Sequence, residues 1–295
     1  MASVQDIKRR IRSIRNTRKI TRAMELVAAA KLRRAQARIE AMRPYAERMQ
    51  ELMVGTARAS ASVRGLPLLQ RREVSRAAIV PLTGDRGLAG AFNAQILREA
   101  FNLERELRGA GTEVRWLVAG KKGASTLRFR RYEIAQAWTG FSDSPRYHDA
   151  QAIAHALEEL YSEQDVDQVF VIYNHFESAL TQRVVRQEVL PIPEQVLESG
   201  DEERDRALLG DFIYEPEPEQ ILERLLPVYV ETELYRALLE SAASEQGARM
   251  TAMRNASKNA GELIDYLTLQ MNRARQAEIT QEILEVVAGA DALTA

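Results

Sequence analysis

The chain has 295 residues, none of them cysteine and only three of them histidine, with aromatics at 6%. The lack of cysteine removes disulfides, thiolate metal sites and thiol redox switching, and fits a reducing compartment. No run of about 18 or more apolar residues occurs, so the chain is not expected to span a bilayer by itself. The start Met1-Ala2-Ser3-Val4-Gln5 lacks an apolar signal core and runs straight into patterned helix, so the chain is expected to be mature from its first residues. Neither sign of charge prevails, because the net charge is −1, and nothing global calls for nucleic acid or an anionic membrane.

The charge that is present is distributed unevenly. Among the first sixty residues fifteen Lys and Arg stand against five acids, Asp6, Glu25, Glu40, Glu47 and Glu51. The stretch from Glu188 to Glu245 is acidic by contrast, with Asp201, Glu202, Glu203 and Asp205 clustered and Glu215, Glu217 and Glu219 alternating with prolines. One polypeptide therefore presents two opposite electrostatic faces. Apolar residues at 45% and charged residues at 28% are enough for a real core.

Residues 1–61 have no glycine before Gly55 and a single proline, Pro44, and are dense in Ala, Arg, Met and Leu, which favour helix. Ile7, Ile11 and Ile14, then Ile20, Met24, Ala28, Leu32, Ala35, Ile39 and Met42 recur every three or four residues and predict one long amphipathic helix. At about 1.5 Å per residue such a helix is on the order of 80 Å long, and Pro44 is expected to bend it. A second long helix is expected over 218–288, with a stripe through Leu234, Leu238, Ala242, Met250, Met253, Ala260, Ile264, Leu267, Met271, Ala274, Leu284 and Val287. Neither stripe is a strict heptad, which predicts a loosely wound antiparallel coiled coil of the N- and C-terminal helices.

Between them, residues 75–205 switch to short apolar runs alternating with amphipathic helices, the pattern of an α/β unit. Strands are expected at 77–83, 114–119, 132–138, 169–176 and 184–192, and helices at 91–107, 124–129 and 149–161. The last strand is expected to pair with its predecessor as a hairpin. The fold class is α/β: a long antiparallel coiled coil plus a central Rossmann-like α/β domain.

Thr83-Gly84-Asp85-Arg86-Gly87-Leu88-Ala89-Gly90 follows a strand and precedes a helix, where a phosphate cradle sits in a dinucleotide fold. Its glycine spacing matches neither the dinucleotide fingerprint nor the Walker pattern, and a structural turn is the preferred reading. Gly120-Lys121-Lys122-Gly123 fails the same test. His148, His155 and His175 show no metal-ligand spacing, and His155 with Glu158 and Glu159 reads as a solvated helix face. Asp201 to Asp205 reads as an acidic surface loop. The basic first helix lacks aromatics before Tyr45 and its charges encircle it, so an acidic protein partner is preferred to nucleic acid.

The two ends carry a specific resemblance. Arg18-Lys19-Ile20-Thr21-Arg22-Ala23-Met24-Glu25-Leu26-Val27-Ala28-Ala29-Ala30-Lys31 and Arg43-Pro44-Tyr45 resemble the N-terminal helix of ATP synthase gamma subunits. Ser244-Glu245-Gln246-Gly247-Ala248-Arg249-Met250-Thr251-Ala252-Met253 and the stretch Asn272 to Ile283 are similar to the family's closing helix almost residue for residue. Gly84 to Asn93 and Tyr214-Glu215-Pro216-Glu217-Pro218 also resemble family segments, and the likeness is weakest from Arg98 to Leu208. Pro227 departs from the pattern, so the second helix is expected to start later or to kink. The cysteine-bearing insertion of chloroplast forms is absent, which points to the bacterial type.

The resemblance implies the gamma subunit of an F-type ATP synthase, a rotating central stalk that couples ion flow through a membrane ring to catalytic sites on beta subunits. It implies no catalytic residue, cofactor or metal in this chain, ATP, ADP and Mg being held by the alpha and beta subunits. The implied partners are the alpha, beta and epsilon subunits and the membrane c-ring. One copy is implied per complex, peripheral to the cell membrane on its cytoplasmic side. Met24 is implied to lie near an acidic beta-chain loop. Arg249, Arg275, Gln276, Thr280 and Glu282 map onto positions that bond to beta loops or support high-rate coupling. The alternatives are a nucleotide-dependent enzyme built on the central sheet, with the helical ends as a dimerisation arm, and a basic coiled coil that binds nucleic acid.

Overall fold

The computed structural model describes residues 4–60, 65–178, 181–193, 196–197 and 216–294, side chains of 289–294 excepted. Asp201 to Asp205, Tyr214 and Glu215 lie outside the described residues. In chain order the elements are α1 (Val4–Ala59), a 3-10 turn (Pro67–Leu69), β1 (Arg76–Pro81), α2 (Phe92–Gly109), β2 (Glu113–Ala119), α3 (Lys121–Phe129), β3 (Ile134–Trp138), α4 (Tyr147–Ser162), β4 (Gln168–Phe176), β5 (Gln182–Leu190) and α5 (Pro218–Thr294).

The chain divides into two compact units, Met1–Ala28 with Met250–Ala295, and Ala29–Arg249, so both long helices contribute to each unit. Within Ala29–Arg249 the five strands lie in the order β3-β2-β1-β4-β5. β3, β2, β1 and β4 run parallel, and β5 closes the edge antiparallel to β4. This is the expected parallel sheet with one antiparallel neighbour. Strict alternation along the strands supplies two cores. On one face Ala78, Val80, Leu117, Val169, Val171 and Tyr173 meet Met49 and Met53 of α1, the apolar face of α4, and Leu226, Val230 and Leu234 of α5. On the other face Ile79, Trp116, Val118 and Ile172 are covered by α2 and α3.

Pro44 lies inside α1 and Pro227 inside α5, with helix on both sides of each. Each removes one N–H bond to the carbonyl four residues earlier, at Glu40 and Glu223, both of them exposed residues. The second helix therefore begins at Pro218 and runs through Pro227 rather than starting after it.

In the terminal unit the helices pair antiparallel. Ile7 and Ile11 pack with Ile264 and Leu267, the Thr21 and Ser257 hydroxyls are 2.7 Å apart, and Arg18 lies against Gly261. Glu25 is buried and receives hydrogen bonds from Arg22 at 2.7 Å and Arg254 at 3.0 Å. Burial works to raise the Glu25 pKa, but the bonds and charges of Arg254 and Arg22 outweigh it and hold the carboxyl below the usual range.

Two parts of the expected stripes are corrected. Ile20 is exposed while Thr21 and Glu25 are buried, because the seam follows a spacing near 3.5 residues through Thr21, Glu25 and Ala28 and fills itself with paired polar groups. Leu284 and Val287 are likewise exposed, beyond Ala274, the last residue of α5 that packs in the apolar cluster with Ile7 and Ile11. The solvated reading of Glu158 also fails, because its side chain is only 13% exposed and burial pushes its carboxyl up.

Candidate functional site

In a doubly wound sheet the ligand crevice opens at the carboxyl ends of the strands, where the strand order reverses. Here that point lies between β1 and β4, at Leu82 and Asn174, and α5 occupies it. The Ser241 hydroxyl donates to the Leu82 carbonyl at 3.3 Å, and the Ser244 hydroxyl to the Asn174 carbonyl at 3.0 Å. Ser244, Glu245 and Gln246 are almost wholly buried. The turn from Thr83 is moulded against this helix, and a Cβ on Gly84 would stand 2.8 Å from the Glu245 carboxylate. The place where a nucleotide would enter is thus filled by the chain's own helix, in line with the structural reading of the Thr83 to Gly90 turn.

The turn is held by its own polar side chains. Asp85 accepts hydrogen bonds from the backbone N–H groups of Lys121 (3.0 Å), Gly140 (2.8 Å) and Ser142 (3.1 Å). Thr83 Oγ1 donates to the Ala119 carbonyl at 2.8 Å and accepts from Gly123 N at 2.9 Å. Gly120 has φ of 97°, and a Cβ there would lie 2.0 Å from the Thr83 carbonyl oxygen, so glycine is required by both dihedral and space.

Around the seated helix stands a cluster of charge. Arg249, 7% exposed, donates to Glu245 Oε1 at 2.5 Å and to the Gly87 carbonyl at 3.3 Å. Asp143, in the loop after β3, accepts from Lys31 of α1 at 2.8 Å and from Gln246 of α5 at 2.9 Å. Arg86 and Arg249 lie 3.7 and 3.9 Å from the same carboxylate. One step along, Arg38 of α1 donates to Ser144 Oγ at 2.7 Å. Asp143 therefore joins α1, the β1 turn and α5 at a single carboxylate.

Burial works against ionisation of Asp143, yet the Lys31 hydrogen bond and the charges of Lys31, Arg249 and Arg86 outweigh it and keep its carboxyl below the usual range. Glu245 goes the other way. Its burial dominates the attraction of Arg249, Asp143 and Asp85 add repulsion, and its carboxyl is pushed up.

A cavity of about 430 Å³ opens between α1, β4 and α5, lined in part by Arg43, His175, Glu233, Arg236 and Glu240. Its buried charges are paired with one another: His175 Nδ1 with Glu240 at 2.5 Å, Arg236 with Glu233 at 2.6 Å and with Glu240 at 3.3 Å. The contact of His175 with Glu240 ties α5 to β4, and Arg236 links Glu233 and Glu240 along α5.

The residues that the resemblance singles out fall into two sets. Met24 is half-buried on α1, and Arg275, Gln276, Thr280 and Glu282 are exposed on α5, all within the terminal unit. Spacings of four residues from Gln276 to Thr280 and seven from Arg275 to Glu282 spread these side chains over one broad side of the helix. Thr280 donates to the Gln276 carbonyl at 2.9 Å. Ile279, Ile283, Leu284, Val286 and Val287 are exposed on the same turns. Arg249 belongs to the other unit and is bonded internally, so the structure places it in the helix seat. Sequence reasoning missed Asp143, Lys31 and Arg86 as a group, because residues so far apart in the chain share no spacing.

A family model described as ATP synthase matches residues 3–293. The chain is 48% identical over 295 residues to the ATP synthase gamma chain of Rubrobacter xylanophilus, with all of both chains covered. It is also 48% identical over 293 residues to that of Moorella thermoacetica, covering 99% of this chain and 100% of the relative. Among solved structures, a chain of the central stalk and c-ring of the Tetrahymena thermophila mitochondrial ATP synthase aligns at 30% identity and a TM-score of 0.58, over 81% of this chain and 99% of that one. A chain from the OSCP, F1 and c-ring assembly of the Euglena gracilis mitochondrial enzyme shares the fold, with a TM-score of 0.70 at 17% identity over 98% and 94% of the two chains.

Proposed function

Because this chain belongs to the ATP synthase gamma-chain family, we propose that it turns as the central stalk of an F-type ATP synthase and carries rotation between a membrane ring and catalytic sites on other chains. The observation that carries this reading is the seating of α5 in the sheet's ligand crevice, with Asp143 tying it to α1 and to the β1 turn. A torque-bearing part needs its helices fixed to its body, and burial of Ser244, Glu245, Gln246 and Arg249 at that joint supplies the fixing. The chemistry of ATP then belongs to the alpha and beta subunits, and this chain holds no nucleotide, metal or catalytic group of its own.

The partners on this reading are alpha, beta and epsilon subunits and the c-ring, with one copy of this chain per complex. No helix among the described residues is long and apolar enough to cross a membrane, so attachment to the cytoplasmic face of the cell membrane runs through those partners. Met24, Arg275, Gln276, Thr280 and Glu282 are the contacts with beta-chain loops. Arg249 acts from inside, by holding the helix in its seat.

A rotor biases three sites in turn only if its surface differs around its axis, since equal contact with all three would favour none. Ile279, Ile283, Val286 and Val287 lie on one side of α5 and Glu278, Glu282 and Glu285 on the other, and this unevenness supplies that asymmetry. Charge-assisted bonds to the exposed charged groups are each worth about 1.5 to 3 kcal/mol, enough to bias a loop without locking the rotor. Arg275→Ala combined with Gln276→Ala is expected to lower ATP synthesis by the reconstituted complex about tenfold, equivalent to about 1.4 kcal/mol, while the subunits still co-purify. Synthesis at the unaltered rate would overturn the assignment.

A further inference from the structure

The layer of α2 and α3 that covers the second sheet face carries a groove of about 730 Å³ on its outer side. Arg98 and Arg105 from α2 and Lys122 and Arg130 from α3 and its C-cap line it, above a floor that includes Phe101 and Tyr132. Phe101 and Tyr132 are stacked with centroids 5.6 Å apart, and the Arg130 guanidinium lies 4.4 Å from the Phe101 centroid. The one acid in the lining, Glu104, is already engaged, by the Tyr132 hydroxyl at 2.8 Å and by Arg108 at 3.0 Å. Arg98, Lys122 and Arg130 face no carboxylate within ion-pair distance among the described residues, and Arg105 reaches only Asn102 Oδ1 and the Phe101 carbonyl.

This is unlike the rest of α2, whose Glu99 and Glu106 pair with Arg186 of β5. Among the described residues, the positive charge of the groove is therefore left without a carboxylate partner. Phe129 lies on the same face of α3, seven residues from Lys122, and is 87% exposed. The cations are drawn out in lines: seven residues between Arg98 and Arg105 and eight between Lys122 and Arg130 amount to about 10 and 12 Å. That length exceeds a single phosphate, and an exposed phenyl ring beside it offers a contact that a phosphate cannot use.

We propose that the groove between α2 and α3 docks an acidic polypeptide segment of a partner protein, with carboxylates against Arg98, Lys122 and Arg130 and an apolar side chain against Phe129. Lys122 lies beside Gly87 of the β1 turn, but Arg98, Arg130 and Phe129 touch neither the helix seat nor the exposed end of α5, so the surface stands or falls independently of the rotor reading. Fluorescence anisotropy of the full-length chain with a labelled peptide of glutamates interspersed with leucines tests it.

Arg98→Glu with Lys122→Glu is expected to weaken that peptide about tenfold or more, and Phe129→Ser to weaken it several-fold at unchanged salt. All three side chains are exposed, so far-UV circular dichroism should not change; if the charge-reversed variant does not fold, Arg130→Gln and Phe129→Ser carry the test. Equal binding by wild type and variants would overturn the proposal. So would displacement of the peptide by inorganic phosphate or ATP at concentrations that leave ionic strength unchanged, which would mark a small-anion site instead.

Discussion

At the scale of the residue, the joint is held by a few charges whose pKa directions oppose one another. Glu245 and Arg249 are both nearly inaccessible and bonded at 2.5 Å. Removing the cation strands a carboxylate in a site that already disfavours its charge, so Arg249→Met is expected to cost about 3 kcal/mol of stability, read from the denaturant midpoint. Glu245→Leu with Arg249→Met should cost less than the two single changes added together, because no charge is then left alone.

The pH dependence separates the two acids. Asp143 has a depressed folded-state pKa, so its contribution is present above its unfolded value of 3.8 and is lost as pH falls through the lower folded value. Glu245 has a raised one, so its contribution is full below its unfolded value of 4.5 and is lost as pH rises through the folded value. Asp143→Asn should therefore flatten the acid limb of a stability profile, whereas Glu245→Gln should flatten the decline above pH 4.5. Unfolding midpoints measured across that range distinguish them, and identical profiles for both variants would contradict the charge assignment.

At the scale of the element, strands and helices of the sheet unit were legible because apolar period two and amphipathic period 3.6 are local signals that burial on both sheet faces reinforces. The hairpin of β4 and β5 was readable from adjacent apolar runs. The seam of the terminal pair was misread at Ile20, since hydrophobicity selects Ile20 and Met24 while the paired helices bury Thr21 and Glu25 instead. A polar group enters a seam when its partner is present, and the partners Ser257 and Arg254 lie more than two hundred residues away. The Asp143 cluster was invisible for the same reason: one aspartate in a Gly140-Phe141-Ser142 loop signals a turn, and only folding reveals the three cations around it.

The terminal pairing can be checked by a covalent link that the cysteine-free chain permits. Thr21 and Ser257 approach to 2.7 Å at their hydroxyl oxygens, close to the sulfur separation of about 2 Å in a disulfide. Thr21→Cys with Ser257→Cys is expected to close a disulfide on mild oxidation and to leave ATP turnover by the complex within about twofold, because the helices already move as a pair. No crosslink, or a turnover collapse reversed by reductant, would show that they do not.

At the scale of the whole molecule, a fold whose crevice ordinarily receives a ligand has its own long helix in that place. Filling the crevice with Ser244, Glu245 and Gln246 turns a binding site into a joint. On the function proposed above, family membership, the buried joint and the exposed end of α5 describe one device, a part that transmits torque. Asp143 touches α1, the β1 turn and α5 together, and on that reading it is the residue expected to bear the transmission.

The most direct test compares both directions of the machine in one preparation. Asp143→Ala with Gln246→Ala, assembled into the complete complex in vesicles, is predicted to lower gradient-driven ATP synthesis several-fold. ATP hydrolysis by the same vesicles should change much less, because a loosened joint slips under load before it stops turnover. Synthesis and hydrolysis both at wild-type rates would contradict the claim that this joint carries the torque.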